Sequence, residues 1–250
     1  MISTSPQRPS WRTPLDLLFW LGRHELATLL MLAAVAGGVW AFLELASEVG
    51  EHDTHAVDER LLLLLRNPVD ASDPLGPPWF EEVMRDFTAL GGIGVQVVIV
   101  AATCVFLAIQ RKRHAVVLLV ASVGGALALS LLLKHGYDRP RPDLVPHGSI
   151  VMTSSFPSGH SMLSAATYLT LGALVARVLP GRRMKAFVIL FAALLAGLAG
   201  VSRVYLGVHW PTDVVAGWTL GATWAVLCWL VARFLQRRGT VEDDDGAVSA

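Results

Sequence analysis

The chain has 250 residues, 54% of them hydrophobic and 16% charged, with 20 basic and 20 acidic side chains. One domain suits that length, and the composition excludes an ordinary soluble domain while fitting a polytopic membrane protein. A formal net charge of zero gives no bulk electrostatic reason to bind nucleic acid. The two cysteines, Cys104 and Cys228, sit inside apolar runs and read as small buried hydrophobes rather than a disulfide or a metal site.

Residues 1–25 form a polar-to-mixed lead, followed by the first apolar run, Leu26–Ala46. That run is too long for a signal-peptide core and no cleavage box follows it, so it reads as a retained helix. Further runs long enough to cross a bilayer, roughly 17–25 residues as helix, lie at Gly92–Ile109, Ala115–Leu133, Ser161–Leu179, Ala186–Ser202 and Asp213–Ala232. Lipid offers the backbone no hydrogen-bond partners, and no alternating strands are present to build a barrel. The expectation is an all-α fold of six transmembrane helices, a membrane domain over 26–238, and a disordered acidic tail over 239–250.

Between the first two runs, Ser47–Gly91 carries ten acidic residues and the turn Asp73-Pro74-Leu75-Gly76-Pro77-Pro78. Beyond that turn Phe80, Val83, Met84, Phe87 and Leu90 recur at helical spacing, with Glu81, Glu82, Arg85 and Asp86 on the other face. Such a helix suits the membrane interface or packing on the bundle. The role of 47–91 is open at this point.

Orientation follows from lysine and arginine. One set of ends holds Arg8, Arg12, Arg23, Arg111, Lys112, Arg113, Arg177, Arg182, Arg183, Lys185, Arg233, Arg237 and Arg238, which is 13 of the 20 basic residues. Those ends should be cytoplasmic, with both termini inside an inner (plasma) membrane. The opposite ends then face the periplasm or exterior.

Three polar clusters fall at those outer ends, on spans three to six. They are Lys134 through Pro142, then Phe156-Pro157-Ser158-Gly159-His160, then Ser202-Arg203 with His209 and Asp213. Ionisable groups at such positions are costly and usually functional. Lys134, Arg141 and Arg203 supply three cations, two with planar forks that fit phosphate oxygens. Ser158 and Gly159 stand where a helix should begin, a place that favours an anion. Asp213, four residues after His209, comes within one helical turn of it if the chain is helical there, and a carboxylate beside an imidazole fixes its tautomer. Pro211 suits a first helical turn. Three cations with two histidines suit phosphoryl transfer through a phosphohistidine. The carboxylates are too few for a magnesium or zinc pair.

These residues resemble the type 2 phosphatidic acid phosphatase superfamily. Its signature, Lys-x6-Arg-Pro, Pro-Ser-Gly-His and Ser-Arg-x5-His-x3-Asp, is matched by Lys134…Arg141-Pro142, Pro157-Ser158-Gly159-His160 and Ser202-Arg203…His209…Asp213. The resemblance implies that His209 attacks phosphorus and Asp213 orients it. It also implies that His160 protonates the leaving oxygen and then activates water, and that Lys134, Arg141, Arg203, Ser158 and the Gly159 N–H hold the phosphoryl oxygens. Neither a metal nor another cofactor is implied. The substrate would be a lipid phosphate or diphosphate, with undecaprenyl diphosphate, phosphatidic acid and phosphatidylglycerol phosphate as candidates, and membrane lipids as surroundings. Protein partners are not indicated.

Arg139-Pro140 offers a competing Arg-Pro register, but only Arg141 stands seven residues after Lys134. Arg139 is expected as a secondary phosphate contact or as a partner of Asp138. His135 and His147 read as loop residues, and Tyr205, Trp210 and Trp218 as an interfacial belt or helix packing. Two other functions stay open. One is vanadate-dependent halide oxidation in the same kind of pocket, although the related soluble haloperoxidases lack a six-span body. The other is a non-catalytic membrane transporter or assembly factor that binds phosphate without turning it over.

Overall fold

The computed structural model describes residues 14–143 and 153–237, with side chains described over 25–236. The described residues form eight helices: α1 (Pro14–Gly50), α2 (His55–Leu63), α3 (Pro78–Ala89), α4 (Ile93–Ile109), α5 (Arg113–Gly136), α6 (Gly159–Val178), α7 (Arg182–Tyr205) and α8 (Pro211–Arg237). No strand occurs among them beyond a single bridge between Arg66 and Pro74. His147 and the acidic tail lie outside the described residues.

Five stretches are long and apolar enough to cross a membrane: Glu25–Gly50, Arg113–Gly136, Gly159–Val178, Arg182–Tyr205 and Pro211–Gln236. The expected second span is α4, whose 17 residues extend about 26 Å, short of a ~30 Å hydrocarbon core. It meets α3 at a 48° bend, and the pair qualifies as one broken span, which raises the number of crossings to six. The chain is therefore a multi-pass membrane protein of five or six spans.

The first helix begins earlier than its apolar run. It starts at Pro14, a residue suited to the first helical turn, and no proline interrupts it before Gly50. The amphipathic helix is α3, and it packs on the bundle against α7. Phe80 sets its ring edge-on to Tyr205 at 5.3 Å, and Tyr205 Oη donates to the Leu75 carbonyl at 2.9 Å.

The bundle centres on α6, which packs against α5, α7 and α8. Its buried positions are mostly small or hydroxylic, among them Ser161, Ser164, Ala165, Ala166, Thr167, Thr170 and Gly172. Small residues let membrane helices approach where no hydrophobic effect drives them together. On α8, a Cβ at Gly217 or Gly221 would lie 2.6 Å from the Ser158 carbonyl oxygen or 2.3 Å from that of Met162. Only glycine permits that crossing. Polar bonds tie the neighbouring helices: Ser122 of α5 shares a 2.7 Å hydroxyl bond with Thr170 of α6, and Trp218 Nε1 of α8 donates to Ala196 O of α7 at 2.9 Å. Trp218 and Trp210 thus serve packing. Leu29, Leu30, Trp40, Val98, Leu132 and Leu190 are among the large apolar side chains left exposed, as a lipid-facing surface requires.

Short turns, between Ile109 and Arg113 and between Val178 and Arg182, carry Arg111, Lys112, Arg113 and Arg182 at one end of the bundle. The polar clusters lie at the other end.

Candidate active site

Helix starts place the key groups. Ser158 is the N-cap of α6; its hydroxyl accepts from Ser161 N at 3.5 Å and Ser161 Oγ at 3.0 Å, leaving its own proton free to donate. Gly159 and His160 open the helix, where N–H groups lack intrahelical partners. A Cβ on Gly159 would stand 3.3 Å from Ser130 Oγ and 3.7 Å from Lys134 Cε, so Lys134 passes close to this helix start. Lys134 Nζ donates to Ser154 O at 2.7 Å.

Trp210 precedes α8, with Pro211 and Thr212 opening the helix. Asp213 Oδ2 reaches back to accept from the Trp210 N–H at 3.0 Å, half of a capping box. His209 lies just outside the helix, so the helical spacing expected between it and Asp213 is replaced by this cap. The contact forms nonetheless: His209 Nδ1 stands 3.3 Å from Asp213 Oδ2. The Asp213 backbone carbonyl accepts from Ser158 N at 3.0 Å, tying the second motif to the third.

On the other side of the ring, Arg141 Nη1 approaches His209 Nε2 at 3.2 Å and donates to Val208 O at 2.8 Å. A guanidinium can only donate, so Nε2 accepts and the ring proton sits on Nδ1, facing Asp213. His209 is 2% exposed. Burial lowers its pKa from 6.5 to about 4, opposed by the hydrogen bond and charge of Asp213. The imidazole is neutral at physiological pH. Burial also pulls the Arg141 guanidinium down, opposed by Asp213, without removing its charge at neutral pH.

Arg203 is held on α7 with its Nη1 3.5 Å from Thr88 Oγ1, and its buried Nε has no partner among the described residues. Ser202 Oγ donates to the same Thr88 oxygen at 2.9 Å. The charges of Arg203, Lys134 and Arg141 all bear on His160, as does His209. Gly91, at the α3–α4 bend, lies against His160: a Cβ there would be 3.0 Å from both His160 Cβ and its carbonyl oxygen. The eight residues singled out from the sequence thus gather at one end of the bundle.

Arg139 departs from expectation. It pairs neither with Asp138 nor with an open phosphate position, but bridges Asp58 Oδ2 at 2.6 Å and Asp213 Oδ1 at 2.5 Å. Its Nη1 also donates to Thr212 Oγ1 at 2.8 Å. Ser155, in no motif, donates its hydroxyl to Asp213 Oδ2. The sequence reading missed Asp58, Ser155, Thr88 and Gly91. Asp58 stands beside Glu59 and Arg60, just ahead of the leucine run Leu61–Leu65, and nothing in that string sets it apart.

A cluster of donors and cations around a neutral, buried imidazole can hold a phosphoryl group against a nitrogen nucleophile. The chain is similar in sequence and fold to known proteins. The PAP2 superfamily model matches residues 115–237, a range containing all three motifs. Phosphatidylglycerophosphatase B of Bacillus subtilis (strain 168) is 33% identical over 183 residues, spanning 72% of this chain and 85% of that protein. The undecaprenyl-diphosphatase of Sulfolobus acidocaldarius is 30% identical over 138 residues, 53% of this chain and 63% of the relative. The crystal structure of a transmembrane PAP2-type phosphatidylglycerolphosphate phosphatase from Bacillus subtilis superimposes with a TM-score of 0.71 at 29% identity, covering 81% of this chain and 98% of that one. On these matches the chain belongs to the PAP2 superfamily and is a membrane hydrolase of the lipid phosphatase kind.

Proposed function

We propose that this phosphatase removes the terminal phosphate of a phosphatidylglycerol phosphate-like glycerolipid, at the outer membrane face, through a phosphohistidine on His209 and without a metal. The observation that carries the chemistry is the pair of contacts on the His209 ring, Nδ1 3.3 Å from Asp213 Oδ2 and Nε2 3.2 Å from Arg141 Nη1, which assign the proton to Nδ1 and the lone pair to Nε2.

In the first step the Nε2 lone pair forms a bond to phosphorus while the bond to the lipid oxygen breaks. His160 gives its proton to that leaving oxygen. Asp213 stabilises the ring, which keeps its Nδ1 proton and becomes cationic. Lys134, Arg141, Arg203, the Ser158 hydroxyl and the Gly159 N–H hold the three phosphoryl oxygens, whose negative charge needs such fixed donors. In the second step His160 takes a proton from water, the water oxygen bonds phosphorus, and the P–Nε2 bond breaks to release inorganic phosphate. The metal-free reading rests on this cation-rich set, which neutralises the oxygens itself.

The glycerolipid preference is supported by the breadth of the phosphatidylglycerophosphatase match, 85% of that protein against 63% of the undecaprenyl-diphosphatase. The outer face is supported by the basic residues on the turns at the other end of the bundle. The test is phosphate release by purified enzyme from phosphatidylglycerol phosphate, phosphatidic acid and undecaprenyl diphosphate, with His209→Ala as blank. Preference for phosphatidylglycerol phosphate is expected. Preference for the polyprenyl diphosphate would overturn the substrate choice, and no cleavage of any lipid above the blank would overturn the function proposed.

A further inference from the structure

We infer that Asp58 and Arg139 are positioning residues for the reaction: together they brace Asp213 and balance its charge, so that the outer segment 47–91 supplies part of the chemical machinery. The inference rests on the reading of His209 as nucleophile.

The geometry is specific. Asp58 is fully buried, and the Arg139 side chain is 10% exposed. Besides Arg139, Asp58 accepts from the Thr212 backbone N–H at 2.9 Å and its hydroxyl at 2.6 Å. Every one of these partners belongs to, or adjoins, the segment that carries Asp213. Arg139 spends one terminal nitrogen on each carboxylate and lays its guanidinium over Trp210, 5.8 Å from the ring centre. Asp213 then has Oδ1 taken by Arg139 and Oδ2 taken by the His209 ring, Ser155 and Trp210 N. A carboxylate pinned at both oxygens cannot turn away from the imidazole.

Docking alone does not account for this. Burying a carboxylate and a guanidinium gains little over apolar packing, and α2 already has Leu62, fully buried, against Val204, Trp210 and Val214. Charge balance gives the pair a purpose. With the His209 ring neutral, two carboxylates and one guanidinium leave the cluster with one negative charge. When Nε2 bonds phosphorus the ring gains one positive charge, and the cluster becomes neutral in the intermediate. Without Asp58, Arg139 alone cancels Asp213 and the ring cation lacks its counter-charge.

The test compares Asp58→Asn, Arg139→Gln and the double variant with wild type. Measured are kcat, KM, vanadate affinity, thermal unfolding in detergent and the acid limb of kcat/KM, with the substrate's own ionisation divided out. The groups that bear on His209 are Asp213, Arg141, Arg203, Lys134 and His160, together with the pair itself, and only the pair is altered. Each single variant should lose roughly 10- to 100-fold in kcat, the range for removing the partner that orients a ligating histidine, while KM stays within about threefold. Losing the carboxylate disfavours the charged ring and moves the acid limb to lower pH. Losing the guanidinium moves it to higher pH. The double variant should be no worse than the poorer single one. Arg139→Lys, which keeps the charge but cannot fork, should lose kcat with its acid limb near the wild-type position. Asp70→Asn, at an exposed site in the same segment, should change nothing.

Opposite displacements of the two acid limbs establish the brace. Displacements in the same direction, or kcat losses explained wholly by lost folded protein, overturn it. If Asp58→Asn does not fold, Arg139→Lys against Thr212→Val decides: both should lower kcat in folded enzyme, and unchanged kcat in both contradicts the inference. Failure of the parent reading looks different, because His209→Ala would then retain turnover.

Discussion

Arg141 and His209 fix each other's chemistry: Nη1 of the guanidinium stands 3.2 Å from Nε2 of the imidazole. Because arginine cannot accept a hydrogen bond, the nitrogen that faces it carries the lone pair. The same contact places a cation where the oxygens of an attacked phosphoryl group would gather. In the proposed mechanism this one pair of atoms sets both nucleophile and anion holder, and the consequences can be measured.

The first concerns pH. With burial holding His209 near 4, the acid limb of kcat/KM is expected near pH 4 once the substrate's phosphate ionisation, at about 6, is divided out. The sign also holds for stability. Between about 4 and 6.5 the unfolded chain binds a proton at this site and the folded chain does not, so unfolding becomes easier as pH falls through that window. A kinetic pKa near 6.5 that disappears in His209→Gln would contradict this.

The second concerns His160. Its replacement by alanine should cost about 10²–10⁴-fold on a lipid substrate. The loss should be far smaller on an aryl phosphate whose leaving group needs no proton. Equal losses on both would remove His160 from the role of acid.

The third concerns Arg203, whose buried Nε is without a partner among the described residues. A lysine there offers a point charge in place of a planar fork. Arg203→Lys should therefore weaken vanadate inhibition roughly 10- to 100-fold, the worth of one hydrogen bond to a charged group. Unchanged inhibition would mean that this guanidinium does not touch the oxyanion.

The fourth separates local from global packing. Gly91→Ala places a methyl group against His160 and should lower kcat with little change in unfolding temperature. Gly221→Ala presses on the Met162 carbonyl at the α6–α8 crossing and should cost about 1–3 kcal/mol of stability. If Gly91→Ala leaves kcat intact, the α3–α4 bend does not position the histidine.

The three signature clusters were readable because each is a short string at a helix end. The helix starts at Gly159 and Pro211 were readable from Ser158 and from proline chemistry. Apolar runs marked the long helices, but α4 and α3 show why counting spans is less secure: an apolar 17-residue helix and an amphipathic 12-residue one meet at a bend that periodicity does not record. The Asp58–Arg139 bridge spans 81 residues, and nothing local announces a partner at that distance. From sequence Arg139 therefore reads only as a secondary phosphate contact or as a partner of Asp138, the nearest opposite charge in the chain. Ser155 and Thr88 are hydroxyls of ordinary surroundings, and only the packed bundle turns them toward Asp213 and Arg203.

The most direct measurement of the central claim is transfer of radiolabelled phosphate from a lipid phosphate to the enzyme, quenched in alkali, where a phosphoramidate survives. The account predicts label on His209 at Nε2, absent in His209→Ala and lost on chase with unlabelled substrate at the rate of turnover. Turnover without any labelled enzyme, or label on a different residue, would contradict it.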